Sequence, residues 1–199
     1  ENFHYRNKAM YPCATEEGRP VAGFYRRRSH QVIPQENCAI QSPLADQLKE
    51  GVLRWAETCG VSIYEEETGR GFLRHIYVRT GKQGALLTLV VTSWKVPQPE
   101  KLIALCRESC PPLVGIVLNK NTRQTNRVLG EECRTLWGEG RLQDSLCGVE
   151  FSLSPLSFYQ VNQPQAQRLY EQAVEYAAFS PEDTLLDLYC GTGTIGLVA

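Results

Sequence analysis

The chain has 199 residues, 42% hydrophobic and 22% charged, with a formal net charge of −1. These are the proportions of an ordinary globular protein, long enough for one large domain or two small ones. A net charge so close to zero gives no whole-chain electrostatic case for nucleic acid, and no apolar run approaches the roughly 20 residues of a membrane span.

Residues 1–40 read as loop-rich and basic, with one strand-like stretch at Val21–Tyr25. Within residues 1–30, six cations (Arg6, Lys8, Arg19, Arg26, Arg27, Arg28) face three acids (Glu1, Glu16, Glu17). The opening residues Glu1–Lys8 do not form a signal peptide, and with no initiator Met the chain is expected to be cut at both ends. Ser42-Pro43 starts a helix that Gly60 ends, with Leu44, Leu48, Val52, Leu53 and Trp55 as its apolar stripe. Strands are expected at Val61–Glu65, Gly71–Arg79 and Ala85–Thr92, the last two joined by a turn over Gly81–Gly84. On the second strand His75 and Arg79 share one face, which could line a sheet surface turned to RNA, although such a pair is more often simply solvated.

A second helix is expected over Pro97–Cys110, closed by Pro111-Pro112, with further strands at Val114–Asn119 and Arg127–Leu129, and Arg134–Glu139, Cys147–Phe151 and Leu153 continue the β-rich pattern. Strands paired around helices in this order predict an α+β domain with an antiparallel sheet over residues 1–150. The pattern changes there. Ser154-Pro155 opens a turn. Gln163-Pro164 starts a helix with Ala166, Leu169, Tyr170, Ala173, Val174 and Ala177 at core spacing, and a strand follows at Thr184–Tyr189. Residues 151–199 thus read as the start of a parallel α/β domain that the chain does not complete.

The eight cysteines include no Cys-x-x-Cys pair, so a metal site complete within the chain is not expected. Thiols in apolar and helical settings point to a reducing cytoplasm rather than a disulfide framework. Asp187-Leu188-Tyr189-Cys190-Gly191-Thr192-Gly193-Thr194-Ile195-Gly196 runs from a strand into a Gly-rich turn that opens a helix. Such a turn lets backbone approach a nucleotide-type ligand closely. As a string, Gly191-x-Gly193-x-x-Gly196 matches a dinucleotide fingerprint. Asp187 points elsewhere: a carboxylate beside the turn repels pyrophosphate, yet suits the positive sulfonium and amino groups of S-adenosylmethionine.

Three segments carry a family resemblance. Ser154-Pro155-Leu156-Ser157-Phe158-Tyr159-Gln160-Val161-Asn162, Asp187–Gly193 and Tyr5-Arg6-Asn7-Lys8 resemble, in order, signatures of the RNA uracil-5-methyltransferases. Gly23–His30 followed by Cys38 is similar to the branch acting on bacterial 23S ribosomal RNA. The resemblance implies a central α+β domain followed by the opening of a Rossmann-like methyltransferase domain, with an RNA-binding barrel and the catalytic cysteine lying outside this chain. It implies methyl transfer from S-adenosylmethionine to uracil C5 after a thiolate adds to C6, on a base taken out of its stack.

By the same resemblance Gln160, Asp187, Tyr189, Gly191, Gly193 and Thr194 contact the cofactor and Phe158 packs the base or shapes its pocket. Cys38 would be the last of four thiolates on a [4Fe-4S] cluster, the other three preceding Glu1. Arg26, Arg27 and Arg28 could hold RNA phosphate. Plainer alternatives stand beside these: Gln160 or Asn162 as a helix cap, Phe158 as core, Cys38 as a lone loop thiol and the arginines as a solvated run. The expected partner is RNA, ribosomal before transfer RNA, bound by a monomer that is inactive as this fragment and has no membrane association. The competing functions are a nicotinamide-dependent oxidoreductase using the Gly turn and a non-catalytic RNA-binding module.

Overall fold

The computed structural model describes residues 2–191 and 193–199. A seven-stranded sheet runs in the order β3-β2-β1-β4-β5-β6-β7. Its strands are β1 (Lys8–Glu16), β2 (Arg19–Tyr25), β3 (Val32–Pro34), β4 (Leu73–Gly81), β5 (Gly84–Val91), β6 (Leu113–Lys120) and β7 (Glu132–Gly138). Neighbours are antiparallel except β5 and β6. That pair is parallel because helix α2 (Pro99–Ser109) crosses over between them, as a parallel connection requires. The β4–β5 turn closes on Gly84, whose φ of +130° and distance of only 1.9 Å from a would-be Cβ to the Pro112 carbonyl oxygen leave room for glycine alone.

One face of the sheet is covered by α1 (Pro43–Thr58) and α2. Pro43 presets the first turn of α1, and Leu48, Val52 and Trp55 at helical spacing fall on one fully buried stripe. They meet Tyr11, Ile76, Val78, Leu87, Leu89 and Ile116 from the strands and Leu102 and Cys106 from α2. The indole N–H of Trp55 donates to the Pro97 carbonyl at 3.0 Å. The other face, over β5 and β6, is covered by the hairpin β8 (Leu142–Leu146) and β9 (Val149–Leu153) and by helix α3 (Gln163–Ala177). Leu86, Val117, Leu142, Leu146, Leu153, Tyr159, Ala166 and Tyr170 form this second core. The position 150/151 lies within β9.

Several expectations are corrected. Residues 1–40 are not loop-rich: β1, β2 and β3 occupy much of them, and β1 lies inside the sheet. Pro12 argues against an interior strand because it cannot donate to a ladder. It is tolerated here because β1 pairs with β4 over Lys8–Pro12 and with β2 over Cys13–Glu16, so Pro12 stands where one partner gives way to the other. Val61–Glu65 makes only isolated bridges and Arg127–Leu129 forms no strand. His75 and Arg79 are not on a solvated face; each is at most 4% exposed.

In α3 only Ala166 and Tyr170 are buried, while Leu169 is 61% exposed, because the helix meets the β8–β9 hairpin along one narrow stripe. Thr184–Tyr189 is not a strand: a parallel strand needs neighbours to take its backbone bonds, and among the described residues none pairs with it. No helix among the described residues is long and apolar enough to cross a membrane.

Candidate functional site

The segment 154–162 is a short irregular run pinned at several points. The Ser154 amide and hydroxyl both lie 3.0 Å from the Ser157 hydroxyl, and the Ser157 amide donates to the Ser154 carbonyl at 3.2 Å, closing a tight turn. The Arg79 guanidinium donates to the Ser157 carbonyl. Tyr159 turns inward against Phe151, with ring centroids 5.0 Å apart. Its phenol is held above its ordinary pKa, by burial first and by the nearby Asp144 carboxylate second. With Tyr159 inside, Phe158 and Gln160 face outward, and Phe158 is 66% exposed.

The start of β1 holds the other end of this segment. The Asn7 amide donates to the Val161 carbonyl and its side-chain amide donates to the Gln160 carbonyl, each at 2.9 Å. Asn162 then caps α3, its side-chain oxygen accepting from the Gln165 amide at 3.2 Å. The cap alternative therefore applies to Asn162, whereas Gln160 stands free of the helix.

α3 in turn seats the Gly-rich turn. The Tyr170 hydroxyl lies 3.4 Å from the hydroxyl of Thr194, the first residue of the short helix α4 (Thr194–Val198). Thr194 is 4% exposed, so its side chain faces the protein interior. Tyr189, Gly191 and Gly193 have φ of +66°, +58° and +73°, and the Gly193 amide closes the turn on the Cys190 carbonyl at 2.7 Å. A Cβ at Gly191 would lie 3.7 Å from the Phe158 ring, so the two sequence segments meet at this point. Asp187 turns back under α4: one carboxylate oxygen is buried with no hydrogen-bond partner and lies 3.3 Å from where a Gly196 Cβ would stand. Tyr189 is fully exposed beside them. The structure thus brings together Phe158, Asp187, Gly191, Gly193 and Thr194, with Gln160 on the adjoining segment.

The other candidates lie elsewhere. Arg26, Arg27 and Arg28 form the exposed tip of the β2–β3 hairpin, closed by the Arg26 amide to the Gln31 carbonyl at 2.8 Å. The strands β1 and β4 separate them from the β5–β6 region under α3. Half-exposed Tyr25 at the base of this hairpin meets His30 and His75 edge-on. Burial, reinforced by the Arg74 charge, drives the His75 pKa down to about 4.

Cys38 sits in a cleft of about 960 Å³ beside Asp46, which accepts from the Cys38 amide at 3.2 Å. The buried Lys49 ammonium there donates to the Glu36 carbonyl at 2.8 Å and to Asp46 at 3.1 Å. Among the described residues no group of three or more His, Cys, Asp or Glu could hold a metal. Cys38 is thus a single thiol in this cleft, with nothing beside it that supports a cluster.

Asn7, Arg79 and Tyr170 are site-forming residues that were not singled out as such from the sequence. Asn7 had a signal, the resemblance of Tyr5–Lys8, and Tyr170 had its core spacing on the helix, though not its Thr194 partner; Arg79 acts through strand register, which no local pattern encodes.

Comparison with known proteins adds the following. The chain is 41% identical to an uncharacterized RNA methyltransferase of Clostridium tetani over 197 residues, which are 98% of this chain and 43% of that protein. It is 39% identical to one of Halalkalibacterium halodurans and 35% identical to one of Caldanaerobacter subterraneus, covering 99% of this chain and 43% and 44% of theirs. By sequence, the chain is similar to part of each of these RNA methyltransferases. It spans less than half the length of these relatives. Among solved structures it is similar in fold to the Pyrococcus abyssi tRNA (uracil-54, C5)-methyltransferase in complex with S-adenosyl-L-homocysteine. That match has a TM-score of 0.79 and 22% identity over 98% of this chain and 46% of that one. The likeness is one of fold, an α+β unit leading into a Rossmann-like domain. No family model matches the chain.

Proposed function

We propose that this chain is part of an S-adenosylmethionine-dependent RNA methyltransferase that forms 5-methyluridine, with 23S ribosomal RNA as the substrate class. The contact between Phe158 and the Gly191 turn carries this reading: two segments that resemble the signatures of one family, far apart in the chain, meet in space. Residues 1–150 would serve as the central domain and 151–199 as the opening of the catalytic domain, in a protein of the reducing cytoplasm.

The residues present fit the cofactor. The buried, unpartnered Asp187 carboxylate oxygen beside the turn suits a cationic ligand and opposes a pyrophosphate. Gly191 and Gly193, having no side chains, let a ligand lie against the backbone. Tyr189 and Gln160, both exposed, are free to line it. Thr194 contributes by seating α4 against Tyr170. When bound, S-adenosylmethionine supplies a methyl group on a sulfonium. Phe158 offers an exposed ring on which an unstacked base can lie, and Arg26, Arg27 and Arg28 offer phosphate contacts on the hairpin. Uracil C5 becomes nucleophilic when a thiolate adds to C6; no cysteine of this chain is assigned that role, so no catalytic residue is named here.

The test is nucleoside mass spectrometry on the full-length gene product with S-adenosylmethionine and unmodified 23S and transfer RNA transcripts. Cofactor-dependent 5-methyluridine in the 23S transcript is the expected result. Its appearance only in transfer RNA overturns the substrate class, and its absence from both, together with absent cofactor binding, overturns the whole reading.

A further inference from the structure

Lys8 on β1 and Arg79 on β4 are direct cross-strand partners. Like charges placed opposite each other in an antiparallel pair destabilise it, so the pairing calls for compensation. Among the described residues no carboxylate lies within salt-bridge distance of either, nor of Arg6, two residues before Lys8, whose charge Lys8 also feels. Arg79 is 2% exposed, and the Nε atoms of both Arg6 and Arg79 are buried without an acceptor. The neutral groups at hand, the Ser157 carbonyl and the Tyr77 ring, engage Arg79 but cancel no charge. Lys8 registers the result: burial first, then the charges of Arg79 and Arg6, hold its ammonium below the ordinary lysine range.

Three cations thus converge at the edge of the segment that carries Phe158 and Gln160, with no neutralising carboxylate among the described residues. Arg79 holds its Ser157 end and Arg6 bridges its Asn162 end. We infer that Arg6 and Lys8, with the charge of the buried Arg79 guanidinium behind them, form an anion site that takes one backbone phosphate of the RNA, next to the nucleotide whose base lies at Phe158. A phosphodiester offers several acceptor oxygens around one delocalised charge, which suits two half-buried cationic donors set side by side. S-adenosylmethionine carries no phosphate, so the site is separate from the Gly turn. The inference rests on the RNA-methyltransferase reading and names a contact within it.

The test uses the full-length gene product, its Lys8→Gln variant and its charge-keeping Lys8→Arg variant. The affinity for unmodified RNA is measured against salt concentration and S-adenosylmethionine affinity is measured alongside. Loss of one phosphate contact lowers the slope of log affinity against log salt by roughly 0.7 for single-stranded RNA, or about fivefold in affinity over a decade of salt. We expect that loss in Lys8→Gln, its restoration in Lys8→Arg, and unchanged cofactor affinity in both. Lys8 is half-buried and Gln removes a like-charge pair, so the variant is expected to melt no lower than the wild type.

Equal slopes for all three proteins, with cofactor binding intact, overturn the inference and leave the family reading standing. A wild type that binds no S-adenosylmethionine fails the family reading instead. If inorganic phosphate raises the melting temperature of the wild type but not of Lys8→Gln, while RNA affinity is the same in both, the site takes free phosphate and the RNA assignment is overturned.

Discussion

Acidification offers a measurable consequence of where the fold puts His75. This side chain is 4% exposed, its Nε2 lies 3.5 Å from the Tyr25 hydroxyl, and its Nδ1 has no partner. Burial first, and the Arg74 guanidinium second, lower its pKa from 6.5 to about 4. Between those values the unfolded chain binds a proton at this position that the folded chain refuses. The stability gained from a neutral His75 is therefore complete above the unfolded value and is lost as pH falls toward 4. At pH 5 the unfolded imidazole is almost fully charged and the folded one almost fully neutral, so the loss relative to pH 7.5 is about 2 kcal/mol.

Urea unfolding followed by tryptophan fluorescence at pH 7.5, 6 and 5, on the wild type and on His75→Gln, isolates this effect. Asp144 acts with the opposite sign, because burial raises its carboxyl pKa and acid relieves the cost of its charge. That contribution is common to both proteins and cancels in the difference. The wild type should lose about 2 kcal/mol more than the variant between pH 7.5 and 5. Parallel stabilities, within about 0.5 kcal/mol across that range, would refute the burial argument for His75.

Leu142 is fully buried in the second core, so Leu142→Ala should cost about 3 kcal/mol of stability in chemical unfolding. Native-state amide exchange should then quicken first in β8, β9 and α3, with α1 keeping its protection; uniform acceleration would show that the two cores open together. Gly191 has φ of +58°, a conformation that costs a residue with a Cβ roughly 1–2 kcal/mol. Gly191→Ala should weaken S-adenosylmethionine binding to the full-length gene product by about tenfold in calorimetry, and unchanged affinity would remove the turn from the cofactor site.

The elements that were legible in the sequence are those whose pattern is local. α1 shows its stripe, with Pro43 at its start and Gly60 beyond its end. α2 stops before Pro111-Pro112, and β4 and β5 share a turn that glycine marks at both ends. β1 was hidden because charged residues stand at both its ends, Arg6 and Lys8 before and Glu16 and Glu17 after, and Pro12 interrupts it, and only the handover between two partner strands explains why it survives. The surplus of cations in residues 1–30 suggested a loop-rich basic region, whereas the sheet places Lys8 beside a second cation, and no spacing rule reveals a cross-strand register. In α3 the apolar spacing was genuine but over-read, since one stripe of Ala166 and Tyr170 suffices to dock it. The expected strand before the Gly turn failed for a different reason. Leu186 and Leu188 are 76% and 69% exposed where a parallel strand would bury them, because its pairing partners are not among the described residues.

This arrangement separates what stabilises the protein from what positions its site. The two cores lie on either side of β5 and β6, packed through Leu87 and Leu89 on one face and Leu86 and Val117 on the other. The segment that presents Phe158 and Gln160 adds only Tyr159 to either core. It is held instead by polar ties to the ends of two strands, Asn7 at the start of β1 and Arg79 near the end of β4. The neutral Asn7 hydrogen bond contributes only about 1 kcal/mol to stability, so its loss moves a melting temperature by only about 2–4 °C. The same loss frees a backbone whose outward side chains, Phe158 and Gln160, belong to the candidate site. Substitutions at Asn7 or Arg6 should therefore change ligand affinity far more than fold stability, while substitutions at Leu87 or Leu142 do the reverse. The sheet, in this sense, is the ruler from which the site is measured, and the strand register between β1 and β4 is its graduation.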